Sequence, residues 1–189
     1  MNRSASKRET HNRIVKVAAR RFRELGLDGI SVADVMTESG GTVGGFYKHF
    51  ESRDALVIEA MTEAMADYDA FRGGDAPVLE FITTYLSAGH RDSPGTGCAT
   101  GALLSDFARA SQGARSVMTQ RFKTGLTVAQ DAVPGRRASD RRATAMLLMC
   151  AMMGAISLSR AVNDPTLSKE ILDATKKKLR ELTSKEAAS

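Results

Sequence analysis

The eight residues from Thr42 to His49 combine side chains that can contact a nucleic acid. They include a hydroxyl, a phenol, an ammonium group and an imidazole, all of which hydrogen-bond to phosphates or to base edges. Two glycines lie among them and let the backbone approach a partner closely. These residues are Thr42, Gly44, Gly45, Tyr47, Lys48 and His49. Residue type alone is also compatible with a surface loop, so the elements that hold this segment decide what it can bind.

A second group of reactive side chains lies at His90, Arg91, Asp92 and Cys98. The His-Arg-Asp triplet is typical of a kinase catalytic loop, but the downstream Asn and the glycine-rich nucleotide loop are missing. The glycines of residues 95–101 lack the spacing of a dinucleotide-binding loop and follow no predicted strand. The three histidines and two cysteines show no metal-ligand spacing. We therefore expect no enzymatic activity, no metal and no cofactor.

The elements around both groups are predicted to be helical. No stretch alternates Val, Ile and Thr between hairpin turns, as a strand would. Apolar residues instead recur every three or four positions, both from Ile14 to Leu25 and from Val57 to Phe71. Glycines and prolines separate the later helical stretches. The sequence predicts an all-α chain of about nine helices, three short ones followed by six in a larger body.

Charge is distributed unevenly along the 189 residues. Residues 1–50 have a net charge of +4, residues 51–110 of −6 and residues 111–189 of +7, within a total of +5. A basic start ahead of an acidic middle is typical of a nucleic-acid-binding domain attached to a separate body, although ordinary fluctuation gives the same pattern. Two cysteines are too few for a disulfide framework and favour a reducing, cytoplasmic location.

One segment is apolar enough to be considered as a membrane span. Residues 143–159 are uncharged, and Arg142 and Arg160 flank them. Their length lies at the lower limit of the roughly 17–25 residues that a spanning helix needs. Ala, Ser, Gly and Met dominate the segment, which also suits a helix buried between other helices. We favour the buried helix and expect no contact with a membrane.

Residues 31–50 have the pattern of two short helices joined by a turn. Ser31 can cap the first helix, whose first turn holds Asp34. Two glycines then break the chain, and Thr42 can cap the second helix, which ends at His49. This arrangement is a helix-turn-helix. A helical hairpin on a protein surface shows the same pattern, so the residues themselves leave both interpretations open.

The same stretch resembles the N-terminal domain of the TetR-type (tetracycline-repressor-like) regulators. The similarity runs from Thr10 to Leu56. Its most specific part is the pattern Gly40-x-Thr42-x-Gly44-x-Phe46-Tyr47-x-His49-Phe50, followed by Ser52-Arg53-x-x-Leu56. The resemblance implies a helix-turn-helix DNA-binding domain over residues 1–51 and a helical ligand-binding and dimerisation domain over residues 52–189.

Four positions depart from the usual residues of that family. Met36 and Ser39 stand where the family usually has Ala, Gly41 where it has Val or Leu, and Arg53 where it has Lys. Small residues let the two short helices pack closely, so we expect Met36 to change the angle between them. Gly41 removes an apolar side chain from the turn and is expected to loosen the second helix.

The resemblance implies contacts to a double-stranded DNA operator. Tyr47 resembles a phosphate-contacting tyrosine of the family, and Lys48 and His49 are expected to contact the DNA backbone. Val43 can meet a thymine methyl group, which makes it, with Thr42, the candidate for base contact. The full expected set is Ser31, Thr42, Val43, Gly44, Gly45, Tyr47, Lys48, His49 and Arg53.

The resemblance also implies a dimer and an effector. Regulators of this kind bind DNA as two-fold dimers, with a four-helix bundle built from the last two helices of each copy. The residues expected at this interface are Met146, Cys150, Met153, Ile156, Leu172, Thr175 and Leu179. The expected lining of an effector pocket is Met61, Tyr68, Tyr85, Cys98, Phe107, Met118, Phe122 and Met149. For both sets, ordinary core packing is the alternative.

The segment from His90 to Cys98 is similar to one found in a subset of these regulators that respond to electrophiles or oxidants. A thiolate near Arg91 or His90, or at a helix start, is more reactive than a free thiol, and Cys98 is then a sensor. That subset usually has Pro after the cysteine, where this chain has Ala99. A structural cysteine at a helix start is the alternative.

The sequence as a whole predicts a cytoplasmic, homodimeric transcriptional regulator. By resemblance it is a repressor that a small-molecule or electrophile effector releases from its operator. The alternative is a non-specific architectural DNA-binding protein without an effector, and salt dependence separates the two because only a specific reader keeps its sequence preference as salt weakens phosphate contacts.

Overall fold

The computed structural model describes residues 3–71, 78–135 and 137–184. Within them the chain forms nine α-helices and two short 3₁₀ helices and contains no strand, which confirms the predicted all-α fold. The α-helices are α1 (Arg3–Leu25), α2 (Val32–Glu38), α3 (Arg53–Phe71), α4 (Val78–Tyr85), α5 (Ala88–Asp92), α6 (Ala99–Arg109), α7 (Gln112–Ala132), α8 (Ala138–Ala161) and α9 (Pro165–Thr183). The 3₁₀ helices are Val43–Lys48, called the recognition segment below, and Pro94–Thr96.

Polar caps and glycine mark the helix boundaries as the sequence indicates. Ser31 precedes α2 and forms a capping box with Asp34, in which each side chain accepts from the other residue's backbone N–H. The Ser52 hydroxyl accepts from the Ala55 N–H, 3.1 Å away, at the start of α3. Helix α1 ends before Gly26, whose φ of +83° lies in the left-handed region that favours glycine.

The chain divides into two compact units, and the first comprises the chain up to Phe71 together with Pro94–Met118. In this unit α1 packs along α3, and α6 contacts both. Their shared core includes Phe22, Met61 and Leu103, each at most 1% exposed. By packing, α3 and α6 thus belong with the N-terminal helices. The boundary predicted between residues 51 and 52 divides the chain by role and stays a prediction.

Residues 78–93, 119–135 and 137–184 belong to the second unit. Its most extensive helix pair is α8 with α9, and α4 also packs on α9. Ile82, Ile156 and Leu172 bring the apolar sides of these three helices together, and each is at most 3% exposed. Burial of these aliphatic side chains stabilises the unit by about 1.5–3 kcal/mol for each one.

Hydrogen bonds to backbone carbonyls hold α5 within the second unit. Arg160 of α8 donates to the carbonyls of His90 and Arg91, at 2.7 and 2.9 Å. Arg91 in turn donates to the Ser168 hydroxyl at 3.0 Å, and Ser168 donates to the Ser159 carbonyl at 2.6 Å. The His-Arg-Asp triplet noted in the sequence therefore joins α5 to α8 and α9.

Helix α8 contains the segment considered above as a membrane span. It is 24 residues long, and its most apolar window has a mean hydropathy of 1.4, enough by length and composition to cross a membrane. Within the structure, 39% of that window is buried. One such helix is weak evidence, because the core helix of a soluble protein passes the same test. The expected absence of membrane contact stays a prediction.

Candidate nucleic-acid interface

The recognition segment combines buried anchors with exposed side chains. Phe46 is 2% exposed and stacks on Phe50 with ring centroids 5.3 Å apart, whereas the adjacent Tyr47 is 76% exposed. The exposed residues of this stretch are Thr42, Val43, Gly44, Tyr47 and Lys48. Two phenylalanine rings thus fix the segment to the core, while most of the side chains predicted to contact DNA face solvent. Gly45 and His49 are half-buried.

The second helix of the motif is a 3₁₀ helix rather than an α-helix. Backbone N–H groups bond three residues back, from Gly45 to the Thr42 carbonyl at 2.8 Å and from His49 to the Phe46 carbonyl at 2.9 Å. The two adjacent glycines lower the propensity for an α-helix, which accounts for the difference. Thr42 holds the N-cap position, but its side chain makes no capping hydrogen bond there, contrary to the expectation.

Helix α1 holds the turn that precedes the recognition segment. The Arg13 Nε donates to the Ser39 carbonyl at 2.8 Å, and the Ser39 hydroxyl donates to the Met36 carbonyl at 2.9 Å. Gly40 follows with a φ of +74°, a conformation that favours glycine. The Met36 side chain is 2% exposed and reaches the space beside Gly41. The turn is therefore fixed both by backbone hydrogen bonds and by packing.

Two histidines adjoin the recognition segment. The Nε2 atom of His11 lies 2.6 Å from the Glu59 carboxylate, and its ring stacks on Phe50 at 4.6 Å. The His49 ring lies 5.9 Å from the His11 ring. Burial is the main cause that lowers the pKa of His49. The positive charge of neighbouring side chains, first among them His11, lowers it further. In the free protein the neutral imidazole is therefore favoured, with one nitrogen as donor and the other as acceptor.

Two residues predicted to contact DNA are engaged within the protein. Arg53 donates to the Leu27 carbonyl and lies 3.8 Å from the Asp28 carboxylate. The Ser31 hydroxyl donates to the Asp34 carboxylate at 2.6 Å. Hydrogen bonds from the side chain and the backbone N–H of Ser31 lower the pKa of Asp34. Since each side chain already has a structural role, the DNA contacts of Arg53 and Ser31 stay predictions.

Comparison with known proteins agrees with this geometry. Residues 14–60 match the family model described as bacterial regulatory proteins of the tetR family. Residues 14–60 are thus similar to the N-terminal domain of this family, and the match covers about a quarter of the chain. Over 52 residues it is also 35% identical to an uncharacterized HTH-type transcriptional regulator, YerO of Bacillus subtilis. That match covers 28% of this chain and 18% of the relative's length.

Solved structures extend the similarity in fold to nearly the whole chain. A TetR-family transcriptional regulator from Cytophaga hutchinsonii has a TM-score of 0.76 at 18% identity, over 95% of this chain and 98% of that one. The reduced form of NemR from E. coli has a TM-score of 0.72 at 15% identity, over 93% and 97% of the two chains. At these identities the similarity shows the fold, with its N-terminal helix-turn-helix and C-terminal helical domain.

The residues predicted to line an effector pocket lie in both units of the chain. Those in the first unit are Met61, Cys98, Phe107 and Met118. Those in the second unit are Tyr85, Phe122 and Met149, and the side chain of Tyr68 lies outside the described residues. Met61 and Phe107 are at most 3% exposed, and the buried Tyr85 ring contacts the His90 ring at 4.5 Å. Packing within each unit accounts for these buried residues, and their role in a pocket stays a prediction.

Cys98 stands at the start of α6, where it is the N-cap residue and is only 6% exposed. The two side chains that the sequence offers as its activators have other partners. Arg91 donates to the Asp92 carboxylate at 2.7 Å, and the Nδ1 atom of His90 lies 2.7 Å from the Tyr85 carbonyl. The sensor role of Cys98 stays a prediction.

A cleft of about 370 Å³ in the second unit was not predicted from the sequence. It is lined by Arg91, Asp92, Ser159, Arg160, Val162, Asn163, Pro165 and Ser168. None of the effector-binding residues predicted above is among this described lining. Asn163 and Pro165 of this lining were predicted from the sequence only as part of a loop between two helices. Nothing in the composition of that loop indicated a cavity.

The predicted dimer surface is exposed only in part. Four of its residues are at most 8% exposed within the single chain, namely Met153, Ile156, Leu172 and Leu179. These are core positions of the second unit, because α8 and α9 pack on each other there. Met146 is 39% exposed, Cys150 is exposed and Thr175 is half-buried. The interface set predicted from sequence omits Leu147 and Leu158, which are 56% and 58% exposed, although helical spacing places them on one side of α8 with Cys150.

Proposed function

We propose that this chain is a homodimeric, sequence-specific transcriptional repressor that a small-molecule or electrophile effector releases from its operator. The contrast within the recognition segment carries the proposal, since Phe46 is 2% exposed while the adjacent Tyr47 is 76% exposed. A buried anchor beside a fully presented aromatic side chain serves contact with a partner rather than packing. The TetR-type domain over residues 14–60 indicates that this partner is a DNA duplex.

The exposed side chains divide between two kinds of DNA contact. Tyr47 and Lys48 offer a hydroxyl and an ammonium group for phosphates, which set the position of a protein on the duplex. Val43 is 53% exposed and offers methyl groups to a thymine methyl in the major groove. Gly44 is exposed too and adds no side chain that would keep the backbone from the bases. The segment therefore has the chemistry for both affinity and sequence preference.

The exposed face of α8 supports the proposal of a homodimer. Leu147, Cys150 and Leu158 lie along this face at helical spacing, and the two leucines are more than half exposed. Between them, no described heavy atom lies within 4 Å of the place where a Cβ on Gly154 would stand. A glycine at this position lets a second helix approach closely. Two copies joined here would bring two recognition segments to one duplex, at half-sites about 34 Å apart.

The repressor and effector roles rest on the resemblance to the family. Cys98 is 6% exposed, so an electrophile reaches it only after a local opening of the structure. We therefore favour an effector that binds non-covalently among the C-terminal helices. Because the relatives found are transcriptional regulators, no catalytic step is part of the proposal.

Fluorescence anisotropy against labelled DNA fragments tiled upstream of the protein's own gene tests this function. Wild-type protein, Tyr47→Ala and Tyr47→Phe are titrated at two salt concentrations with random DNA as competitor. We expect wild type to prefer one near-palindromic fragment at both salt concentrations and Tyr47→Ala to bind that fragment much more weakly, because it loses a phosphate contact. Tyr47→Phe separates the phenol hydrogen bond from the ring contact. Lys48→Ala is titrated as well, to remove the ammonium group proposed to contact phosphate. Lys123→Ala removes the same charge at an exposed position of α7 and is its control.

Equal, salt-sensitive binding to all fragments would contradict sequence-specific regulation and favour the architectural alternative. If wild type does prefer one fragment, its complex with that fragment serves as the assay for the effector. Compounds that bind the protein are added to the complex, and release of the labelled DNA is measured. The repressor–effector part of the proposal fails if every compound that binds leaves operator affinity unchanged.

A further inference from the structure

The peptide units on either side of Leu27 are held by hydrogen bonds from two directions. The Leu27 N–H donates to the Asp106 Oδ1 atom of α6 at 3.2 Å, across 79 positions of sequence. The Leu27 carbonyl accepts from the guanidinium of Arg53, the first residue of α3. Leu27 itself is 6% exposed. The turn after α1 is therefore connected to both α6 and α3 through a single residue.

Asp106 also packs against the preceding residue of this turn. A Cβ on Gly26 would stand 3.3 Å from the Asp106 Oδ1 atom, closer than most such contacts. Gly26 has a φ of +83°, so the turn requires glycine there for conformation as well as for space. The Asp106 side chain is 17% exposed and lies 4.0 Å from Arg109 at its nearest. Its carboxylate thus fits a turn shaped to receive it.

The segment that leads into α6 is connected to the same helices. Arg23 of α1 is 5% exposed and lies 3.3 Å from the Ala64 carbonyl of α3 and 3.5 Å from the Gly97 carbonyl. All of these residues belong to the first unit. Helix α6 is consequently held against α1 at both ends, by the Gly97 carbonyl just before its start and by Asp106 near its end.

The Leu27 turn determines where α2 begins. Only residues 28–31 separate Leu27 from α2, and among them Ile30 is 5% exposed and Ser31 caps the helix. Helix α2 in turn holds the recognition segment, because Met36 packs beside Gly41 and the Met36 carbonyl accepts from the Gly41 N–H at 2.8 Å. A shift of the turn would therefore displace the side chains that face DNA.

We propose that Asp106 is a positioning residue for DNA binding: its carboxylate holds the Gly26–Leu27 turn, and thereby α2 and the recognition segment, in the arrangement that an operator requires. This inference rests on the proposed function above. It assigns to α6, which the sequence places in the C-terminal domain, a direct contact with the DNA-binding helices. The contact is a charged hydrogen bond in a partly buried place, where such bonds are stronger than at the surface.

Asp106→Ala and Asp106→Asn test the proposal in the full chain. The amide oxygen of Asn still accepts from the Leu27 N–H, whereas Ala removes the acceptor. Asp131→Ala, at an exposed position on α7, removes the same charge elsewhere. Two measurements are made on each protein at a temperature where circular dichroism shows all four to be folded. One is the ratio of Kd for random DNA to Kd for the preferred fragment, and the other is amide hydrogen exchange over residues 26–31.

We expect Asp106→Ala to lower the Kd ratio about tenfold, the effect of one charged hydrogen bond, and to speed exchange over residues 26–31. Asp106→Asn and Asp131→Ala should stay near wild type in both measurements. The proposal is overturned if Asp106→Ala lowers only the melting temperature, or if Asn behaves like Ala. If wild type prefers no fragment, the proposed function fails, and exchange alone then decides whether Asp106 holds the turn. Unchanged exchange in Asp106→Ala would reject that role too.

Discussion

The methyl carbon of Met36 lies 2.7 Å from the position that a Cβ on Gly41 would occupy. The long side chain at position 36 thus fills the space beside the glycine at position 41, and it is 2% exposed there. It also reaches within 3.8 Å of a Cβ position on Gly45, inside the recognition segment. The two departures from the usual family residues are complementary in volume. Packing by Met36 replaces the apolar side chain that Gly41 lacks.

This complementarity predicts non-additive mutations at positions 36 and 41. Met36→Ala should lower the free energy of unfolding by about 2–5 kcal/mol, because it leaves a cavity. Gly41→Val should cost about 1–3 kcal/mol by overpacking against Met36. The double variant should be more stable than the sum of the two losses implies, by about 1 kcal/mol or more. Chemical denaturation measures all three, and strictly additive losses would contradict a shared space.

Neighbouring aromatic residues of the recognition segment should separate stability from DNA binding. Phe46→Ala is expected to lower the free energy of unfolding by about 3–5 kcal/mol, because the side chain is buried on Phe50. Tyr47→Ala should change it by no more than about 0.5 kcal/mol, because the side chain is 76% exposed, yet should weaken binding to the operator through loss of a phosphate contact. Denaturation and anisotropy on the same preparations test this, and a large loss of stability in Tyr47→Ala would show that the ring packs rather than binds.

The exposed face of α8 should determine the oligomeric state. Leu147→Glu places a charge on the proposed dimer surface at a position that is 56% exposed in the single chain. The fold should persist, and sedimentation velocity should show a monomer where wild type sediments as a dimer. Leu104→Glu on α6, where the side chain is 47% exposed, is the matched control and should leave the dimer intact. A dimer that survives Leu147→Glu would place the interface elsewhere.

Acidification should destabilise the protein through His90. Burial is the main cause that lowers the pKa of His90, and the nearby positive charge of Arg160 acts in the same direction, while the hydrogen bond to the Tyr85 carbonyl opposes both. The unfolded chain therefore binds a proton before the folded one does. Stability from neutral His90 is complete above about pH 6.5, the ordinary value for histidine, and is lost as the pH falls below it toward the lower folded-state pKa.

A comparison of wild type with His90→Gln isolates this contribution. Glutamine cannot titrate, so the variant keeps a polar, uncharged side chain at this position and lacks the proton uptake of His90. The two proteins differ at this side chain alone, so their difference in stability reports on His90. The free energy of unfolding of wild type relative to the variant should be constant above neutral pH and decline below about pH 6.5. A constant difference across the whole range would argue against a buried, neutral His90.

The sequence by itself determined the local structure of this protein. Helical periodicity predicted the all-α fold, and Ser31 was predicted as a helix cap, because these signals depend on residues within one or two turns of each other. The motif over residues 40–56 was specific enough to indicate the TetR-type domain, which the match over residues 14–60 confirms. Tyr47 was predicted to contact DNA from its resemblance to a phosphate-contacting tyrosine of the family, and its 76% exposure leaves it accessible for that role.

Only the tertiary structure decided how distant segments share space. The contact of Asp106 with Leu27 joins positions 79 residues apart, and no local pattern encodes such a pair. Ile156 and Leu172 are core residues of the single chain rather than exposed residues of α8 and α9, because apolar character gives burial but not the partner that provides it. Met36 and Gly41 each look unfavourable alone, and only the fold shows one side chain filling the space that the other leaves.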